Sequence, residues 1–433
     1  MKTVFPVKTF GGEVSVPGDK SVSQRIAMLA ALADGTSEVH GFLRGEDAMS
    51  TLGAMCALGA SAKFADGVLQ ITGTGGKLRA PASALNMGNS GTGTRLLAGL
   101  LAGQNFSTTM TGDESLSRRP MGRIQKPLEE MGAKLLLSGK KGTLPMTVCG
   151  APLHGIVYEL PMASAQVKSC VLLAGLFAAG KTTVIEPRAT RDHTEKLFAA
   201  CGIPIEVDGL SISINGAGAA GPAFSAQTFF VPGDFSSAAF WIVAAAVRPG
   251  AELTVRNIGL NPRRTALLDV LKRMGAQIET EITNAYADPI GTVVVRGARL
   301  NGTQIGGDEI PNLIDEIPVL AVAGALAGGE LSICDAEELR VKESDRIAVM
   351  ASHLRSFGVP VNESPDGMTV YGGAKIHSPA RPLSSHGDHR IAMSMAVLAT
   401  CSDAPVRIDD TDCVATSYPE FWKHLEQLGG KVL

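Results

Sequence analysis

LLDVLKRMGAQIET (residues 267–280) reads as an amphipathic helix that stops at Gly275 and gives way to a short alternating strand. Apolar residues recur at helical spacing up to Met274. A glycine at that point supplies the left-handed C-cap that lets a chain leave a helix abruptly. The pattern recurs in TLGAMCALGASAKF (51–64), IQKPLEEMGAKLLL (124–137), KLFAACGIPIEV (196–207), ASHLRSFGVPVNE (351–363) and FWKHLEQLGGKVL (421–433). Gly59, Gly132, Gly202, Gly275, Gly358 and Gly429 occupy the same place in each, so one physical reason accounts for six of the 50 glycines.

A second set of six segments interleaves with the first. Each is an Ala/Leu-rich helix followed by a polar turn and a β-branched strand, starting near Ser21, Gly91, Ala165, Ser236, Asp315 and His389. These helices are apolar on nearly every face, which predicts burial. The chain thus reads as an α/β fold made of six βαβαββ-type units around buried parallel helices. Val16-Pro-Gly-Asp19 and Val231-Pro-Gly-Asp234 lie 215 residues apart, each ahead of a helix of the second set. They are expected to mark crossovers between two similar, inverse α/β-barrel-like domains of three units each: residues 20–232, and 1–19 plus 233–433. The last copy stops at Leu433, as though the N-terminal strand completes it.

At 433 residues the chain exceeds one ordinary core, in keeping with two domains. Hydrophobic residues make up 45% and charged residues 19%, and the net charge is only −3. This balance offers no basic footprint for nucleic acid, and no apolar run of membrane-spanning length is present. The opening MKTVFPVKTFGG lacks the apolar core of a signal peptide. The seven cysteines have no C-x-x-C spacing and read as reduced, buried small hydrophobes in a cytoplasmic protein.

The chemistry is expected at the starts of the buried helices: GDKSVSQR, GNSGTGTR, ASAQVKS, GDFSSAA, LIDEIP and HGDHR. A helix N-terminus has unpaired N–H groups and a partial positive charge, and small residues let an anion approach them. Cations gather in the same places: Lys20, Arg25, Arg95, Arg118 and Arg119 (before Pro120, a candidate first helical residue), and Arg390. Lys342 and Arg346 are four apart and are expected on one helix face. Asp315, Glu343 and Asp388 lie among them as candidate acids or bases, or as an N-cap and ion-pair partners. Two phosphate-loop patterns are set aside. Gly175–Thr182 matches a P-loop but follows a helix and precedes a strand, the reverse of the required order; Gly216–Gly221 runs into Pro222 with no helix. No residues show metal-ligand spacing.

These motifs resemble the 5-enolpyruvylshikimate-3-phosphate synthase family (3-phosphoshikimate 1-carboxyvinyltransferases). The resemblance runs end to end on VPGDKSVSQR (16–25), GNSGTGTR (88–95), SRRP (117–120), SAQVKS (164–169), RDHTEK (191–196), LIDEIP (313–318), RVKESDR (340–346) and GDHR (387–390). SAQVKS and RDHTEK are similar to the class II branch. The resemblance implies transfer of the enolpyruvyl group of phosphoenolpyruvate to the 5-hydroxyl of shikimate 3-phosphate, on the way to chorismate and aromatic amino acids. It implies no metal or other cofactor, and domain closure that excludes water and aligns the substrates, worth about 7–11 kcal/mol. Lys20 would touch both substrates and act in catalysis. Ser21, Arg25, Ser164, Ala165, Gln166, Arg191, Asp315 and Lys342 would bind shikimate 3-phosphate. Gly91, Arg119, Gln166, Arg346 and Arg390 would bind phosphoenolpyruvate. Asp315 would be the base for the 5-hydroxyl, and Glu343 the acid that protonates the methylene carbon and later takes a proton back. A cytoplasmic monomer is expected, with no nucleic-acid or membrane partner.

Three positions depart from the family pattern: Thr416 where many members carry Lys, Ala165 in place of Ser, and Leu96 in place of Pro. In the family an Ala at position 91 crowds out glyphosate; Gly91 implies that glyphosate inhibits. Two other readings stand beside this one. A UDP-N-acetylglucosamine enolpyruvyl transferase would carry a reactive Cys where GDESLSRRPMG has none. A non-catalytic repeat scaffold would not concentrate cations at helix starts.

Overall fold

A computed structural model describes residues 1–140 and 142–433. The described residues form six small sheets, and one of them shows the common plan. Leu85–Asn86 pairs parallel with Ser107–Thr111, which pairs antiparallel with Met146–Cys149, and Lys134–Leu137 closes the edge antiparallel. Helix Gly91–Ala102 makes the parallel crossover and helix Gly122–Glu130 the next connection, giving βαβαββ.

Three sheets take a strand from a distant part of the chain: in one, Gly12–Val14 pairs parallel with Glu252–Gly259. Thr228–Phe230 pairs parallel with Thr36–His40. Lys2–Phe5 pairs antiparallel with both Val406–Asp409 and Lys431–Val432, so the N-terminal strand does complete the last unit. The chain divides into two compact units: a first unit of Gly18–Val231 with Tyr286–Asp288, and a second of Met1–Pro17, Pro232–Ala285 and Pro289–Leu433. The sequence carries no signal for the placement of 286–288, where Asp288 pairs with His193 at 2.6 Å and with Lys196 at 3.1 Å.

Each unit has its own apolar core. Its centre is three apolar helices: Lys20–Leu32, Gly91–Ala102 and Ala165–Gly175 in the first unit, and Phe235–Ala246, Ile317–Leu326 and His389–Ala399 in the second. Every residue of Phe235–Ala246 and of His389–Ala399 is buried. Full burial of side chains such as Trp241 and Ile242 stabilises by about 1.5–3 kcal/mol each. The more amphipathic helices lie outside these. The glycines that follow them have φ from +72° at Gly202 to +116° at Gly59, the left-handed conformation expected of a C-cap.

Three local expectations are corrected. The helix after LIDEIP begins at Ile317 with Glu316 at its N-cap, so Asp315 lies outside it and is not the cap. Pro318 preorganises this start, and Asp315 is left on the short link after Ile310–Leu313. Lys342 and Arg346 do not share a helix face. Lys342 follows the 3₁₀ turn Glu337–Val341, and Asp345 caps a new helix that begins at Arg346, accepting from the Ala348 N–H at 3.0 Å. Pro120 is not a first helical residue either, because that helix starts at Gly122.

Candidate active site

The first unit gathers its polar side chains at the N-terminal ends of its three buried helices. Asp19, Ser90 and Ser164 cap them, accepting from the N–H groups of Val22, Gly93 and Val167. Lys20 Nζ donates to Asp47 Oδ2 at 3.0 Å. Buried Gln24 donates to the Asp47 carbonyl at 3.1 Å and to Ser90 Oγ, linking the start of one helix to the cap of the next. Arg95 donates to Gln166 Oε1 at 2.7 Å, and the Gln166 amide donates to Thr92 at 2.8 Å. Arg119 donates to Asn89 and Ser115. A Cβ on Gly91 would lie 2.9 Å from Arg119 Nη1 and 3.3 Å from Arg95 Nη1, so glycine is what lets both guanidinium groups crowd this helix start.

Arg25 sits one turn into its helix and is buried. Its Nη1 donates back to the Ser21 carbonyl at 3.0 Å, its Nε to Thr194 at 2.8 Å and its Nη2 to Ser169 at 2.8 Å. Ala165 opens the third helix. Arg191 is partly buried on the segment two residues ahead of helix His193–Ala200.

In the second unit the corresponding helix ends carry carboxylates: Asp234, Glu316 and Asp388. Arg346 stands at the centre, almost wholly buried. It pairs with Asp388 at 2.8 Å, Glu343 at 2.6 Å and Asp315 at 3.4 Å. Burial alone works against this charge, but Asp388, Glu343 and Asp315 outweigh it and hold the guanidinium above its ordinary range. Arg390 donates to the Asp315 carbonyl at 2.7 Å and approaches Glu316 at 3.8 Å. Lys342 lies 3.7 Å from Glu338. Enclosure pushes its ammonium below the usual lysine range, against the pull of Asp315, Glu338 and Glu343. About a quarter of the Lys342 side chain remains accessible.

Asp315, Glu343, Arg346 and Arg390 are thus one cluster, whereas Lys342 is its neighbour through charge rather than contact. Thr416 is buried and donates to the Cys413 carbonyl at 2.7 Å. Among the described residues, no group of three or more His, Cys, Asp or Glu is placed to hold a metal ion, and no helix is long and apolar enough to cross a membrane. Of the cysteines, Cys170 and Cys201 are buried, and burial pushes the Cys201 thiol up to about 12. Cys334 is exposed, contrary to the expectation of burial.

The model of the family described as EPSP synthase (3-phosphoshikimate 1-carboxyvinyltransferase) matches residues 4–425. The chain belongs to that family. The 3-phosphoshikimate 1-carboxyvinyltransferase of Akkermansia muciniphila is 49% identical over 97% of this chain and 98% of its own length. That of Bacillus subtilis is 44% identical over 98% and 99%. The solved EPSP synthase of Acinetobacter baumannii superposes with a TM-score of 0.86 at 44% identity, covering 100% of this chain and 99% of its own. The enolpyruvyl transferase NikO of Streptomyces tendae, at 18% identity and a TM-score of 0.80, shares the fold.

Several polar residues were not singled out from the sequence: Gln24, Asp47 and Arg264. Arg264 is buried and donates to Ser236 Oγ at 2.8 Å and to Asp234 Oδ1 at 3.3 Å, while Ser236 donates to Glu316. Asp47 and Arg264 lie outside the helix-start motifs. The available signal was weak: an acidic first turn in GEDAM and paired arginines in NPRR.

Proposed function

We propose that this chain transfers the enolpyruvyl group of phosphoenolpyruvate to the 5-hydroxyl of shikimate 3-phosphate and releases inorganic phosphate. Family membership over nearly the whole chain supports this reading. The single structural observation that carries the chemistry is the set of carboxylates, Asp315 and Glu343, held on Arg346 beside Arg390.

In this reading Lys20, Ser21, Arg25, Ser164, Ala165, Gln166, Arg191, Asp315 and Lys342 bind shikimate 3-phosphate. Lys20, Gly91, Arg119, Gln166, Arg346 and Arg390 bind phosphoenolpyruvate. Arginine forks suit both phosphate and carboxylate. Glu343 delivers a proton to the methylene carbon, which makes the adjoining carbon electron-poor. The 5-hydroxyl attacks that carbon as Asp315 accepts its proton. The adduct then loses phosphate from the same carbon while Glu343 recovers a proton from the new methyl group, restoring the double bond. Lys20 and the arginines stabilise the departing negative charge. A substrate anion that competes for Arg346 would release Glu343 for this work.

Measuring phosphate release from phosphoenolpyruvate with each acceptor tests the proposal. Release is expected with shikimate 3-phosphate. Release with UDP-N-acetylglucosamine instead would favour the sugar-nucleotide enzyme, and none with either would leave a scaffold. Glyphosate is proposed to compete with phosphoenolpyruvate at Gly91, Arg95 and Arg119, where no Cβ intrudes; indifference to millimolar glyphosate would remove that part. The protein is further proposed to work as a cytoplasmic monomer, which light scattering checks for oligomeric state.

A further inference from the structure

Lys168 lies in the interior of the first unit, with none of its side-chain surface accessible. Its Nζ lies 3.0 Å from Glu186 Oε2 and 2.6 Å from Glu195 Oε1, both also buried. The lysine comes from SAQVKS and one carboxylate from RDHTEK, so two motifs far apart in the chain meet in one buried ion pair.

Each partner reaches a residue assigned above to the sugar phosphate through one intervening threonine. Glu186 Oε1 accepts from the Thr190 N–H at 3.2 Å and from its hydroxyl, and Thr190 precedes Arg191. Glu195 follows Thr194, which donates to Ser169 at 2.7 Å; Thr194 and Ser169 together seat Arg25. Lys168 itself lies one turn into the helix that Ser164, Ala165 and Gln166 begin. One ammonium therefore ties down three segments: the helix start at 164–166, the segment carrying Arg191, and the helix turn that holds Arg25.

Stability does not explain this arrangement well. Taking a cation out of water is costly, and well-packed apolar residues often serve a core equally or better. What an ion pair adds is direction. With no accessible surface, Lys168 cannot touch a substrate either.

We infer that Lys168, with Glu186 and Glu195, is the positioning cluster of the sugar-phosphate half-site and sets the affinity for shikimate 3-phosphate. The inference rests on the assignment of Arg25, Ser164, Gln166 and Arg191 to that substrate.

Steady-state kinetics on Lys168→Met, Glu195→Gln and, as a control, Arg25→Ala tests it in the full chain. KM for shikimate 3-phosphate should rise about tenfold in the first two variants, while KM for phosphoenolpyruvate stays within about twofold. A purely structural role would lower the melting temperature and leave both KM values of the folded enzyme alone. That result, or an equal rise in both KM values, overturns the inference. If Lys168→Met does not fold, Glu195→Gln decides, because it keeps the Lys168–Glu186 pair. A rise in Arg25→Ala without one in the cluster variants sinks the inference alone. No rise in Arg25→Ala sinks the half-site assignment and the inference with it.

Discussion

The two units share one plan but treat the N-terminal ends of their buried helices differently. The first places one carboxylate and two hydroxyls at the N-caps, Asp19, Ser90 and Ser164; the second places three carboxylates there, Asp234, Glu316 and Asp388, of which Glu316 makes no side-chain cap bond. A hydroxyl cap satisfies N–H groups without cancelling the positive end of the helix dipole, whereas a carboxylate cancels it and attracts a cation. The arginines follow suit. Arg25 donates to Thr194, to Ser169 and to a carbonyl, and Arg346 pairs with three carboxylates. One architecture therefore yields a half with one carboxylate at its buried helix starts and a half with three.

Removing a carboxylate proposed for proton transfer should have the largest effect. Glu343→Gln and Asp315→Asn are each expected to lower kcat by about 10²–10⁴. The KM values should change far less, as steady-state kinetics would show; near-normal turnover removes that residue from the chemistry. Next comes the charge balance. Arg346→Met leaves wholly buried Asp388 without its cation and should cost about 3–5 kcal/mol in chemical denaturation. Arg25→Met should cost only about 1–2 kcal/mol, because Thr194 and Ser169 still bond each other. Equal losses would erase the contrast between the units.

The caps give a smaller test. Ser90→Ala should cost about 1 kcal/mol. Asp234→Ala should cost about 2 kcal/mol, because Asp234 also receives Arg264. Thermal unfolding of the two variants would rank them. The smallest effect is a pH dependence in the second unit. Burial holds His353 below its ordinary value of 6.5, and its Nε2 donates to the Ser384 carbonyl at 2.8 Å. A depressed imidazole means that the unfolded chain binds protons more readily. The stability it contributes is present above pH 6.5 and is lost as pH falls through that value. His353→Gln, which keeps a donor, should flatten the loss of stability below pH 6.5.

Much of this was legible before any coordinates. The C-cap glycines announced themselves because one backbone conformation demands them, and Gly275 and Gly358 adopt it. The buried helices were legible from their composition, and Lys20, Arg25, Gly91 and Arg390 from their places at the helix starts. Lys342 was misplaced because a four-residue spacing implies a shared face only if the helix is continuous, and Asp345 caps a new one in between. Asp47, Arg264 and Glu186 could not be singled out. Each acts through a partner 18 to 30 residues away in the chain, such as Lys20, Ser236 or Lys168, and no local period records that distance.

What the sequence alone determined is therefore whatever repeats or is set by a few adjacent residues: six helix–glycine–strand segments, apolar central helices, and polar helix starts that collect charge. The fold follows because periodicity and C-capping are local physics. Only the tertiary structure decided the electrostatic partners. It seated Arg346 among Asp315, Glu343 and Asp388, put Lys168 between Glu186 and Glu195, and added the strand Thr228–Phe230 to the sheet of Thr36–His40. Charge compensation and strand completion depend on proximity in space, and that exists only once distant segments have packed around a common core.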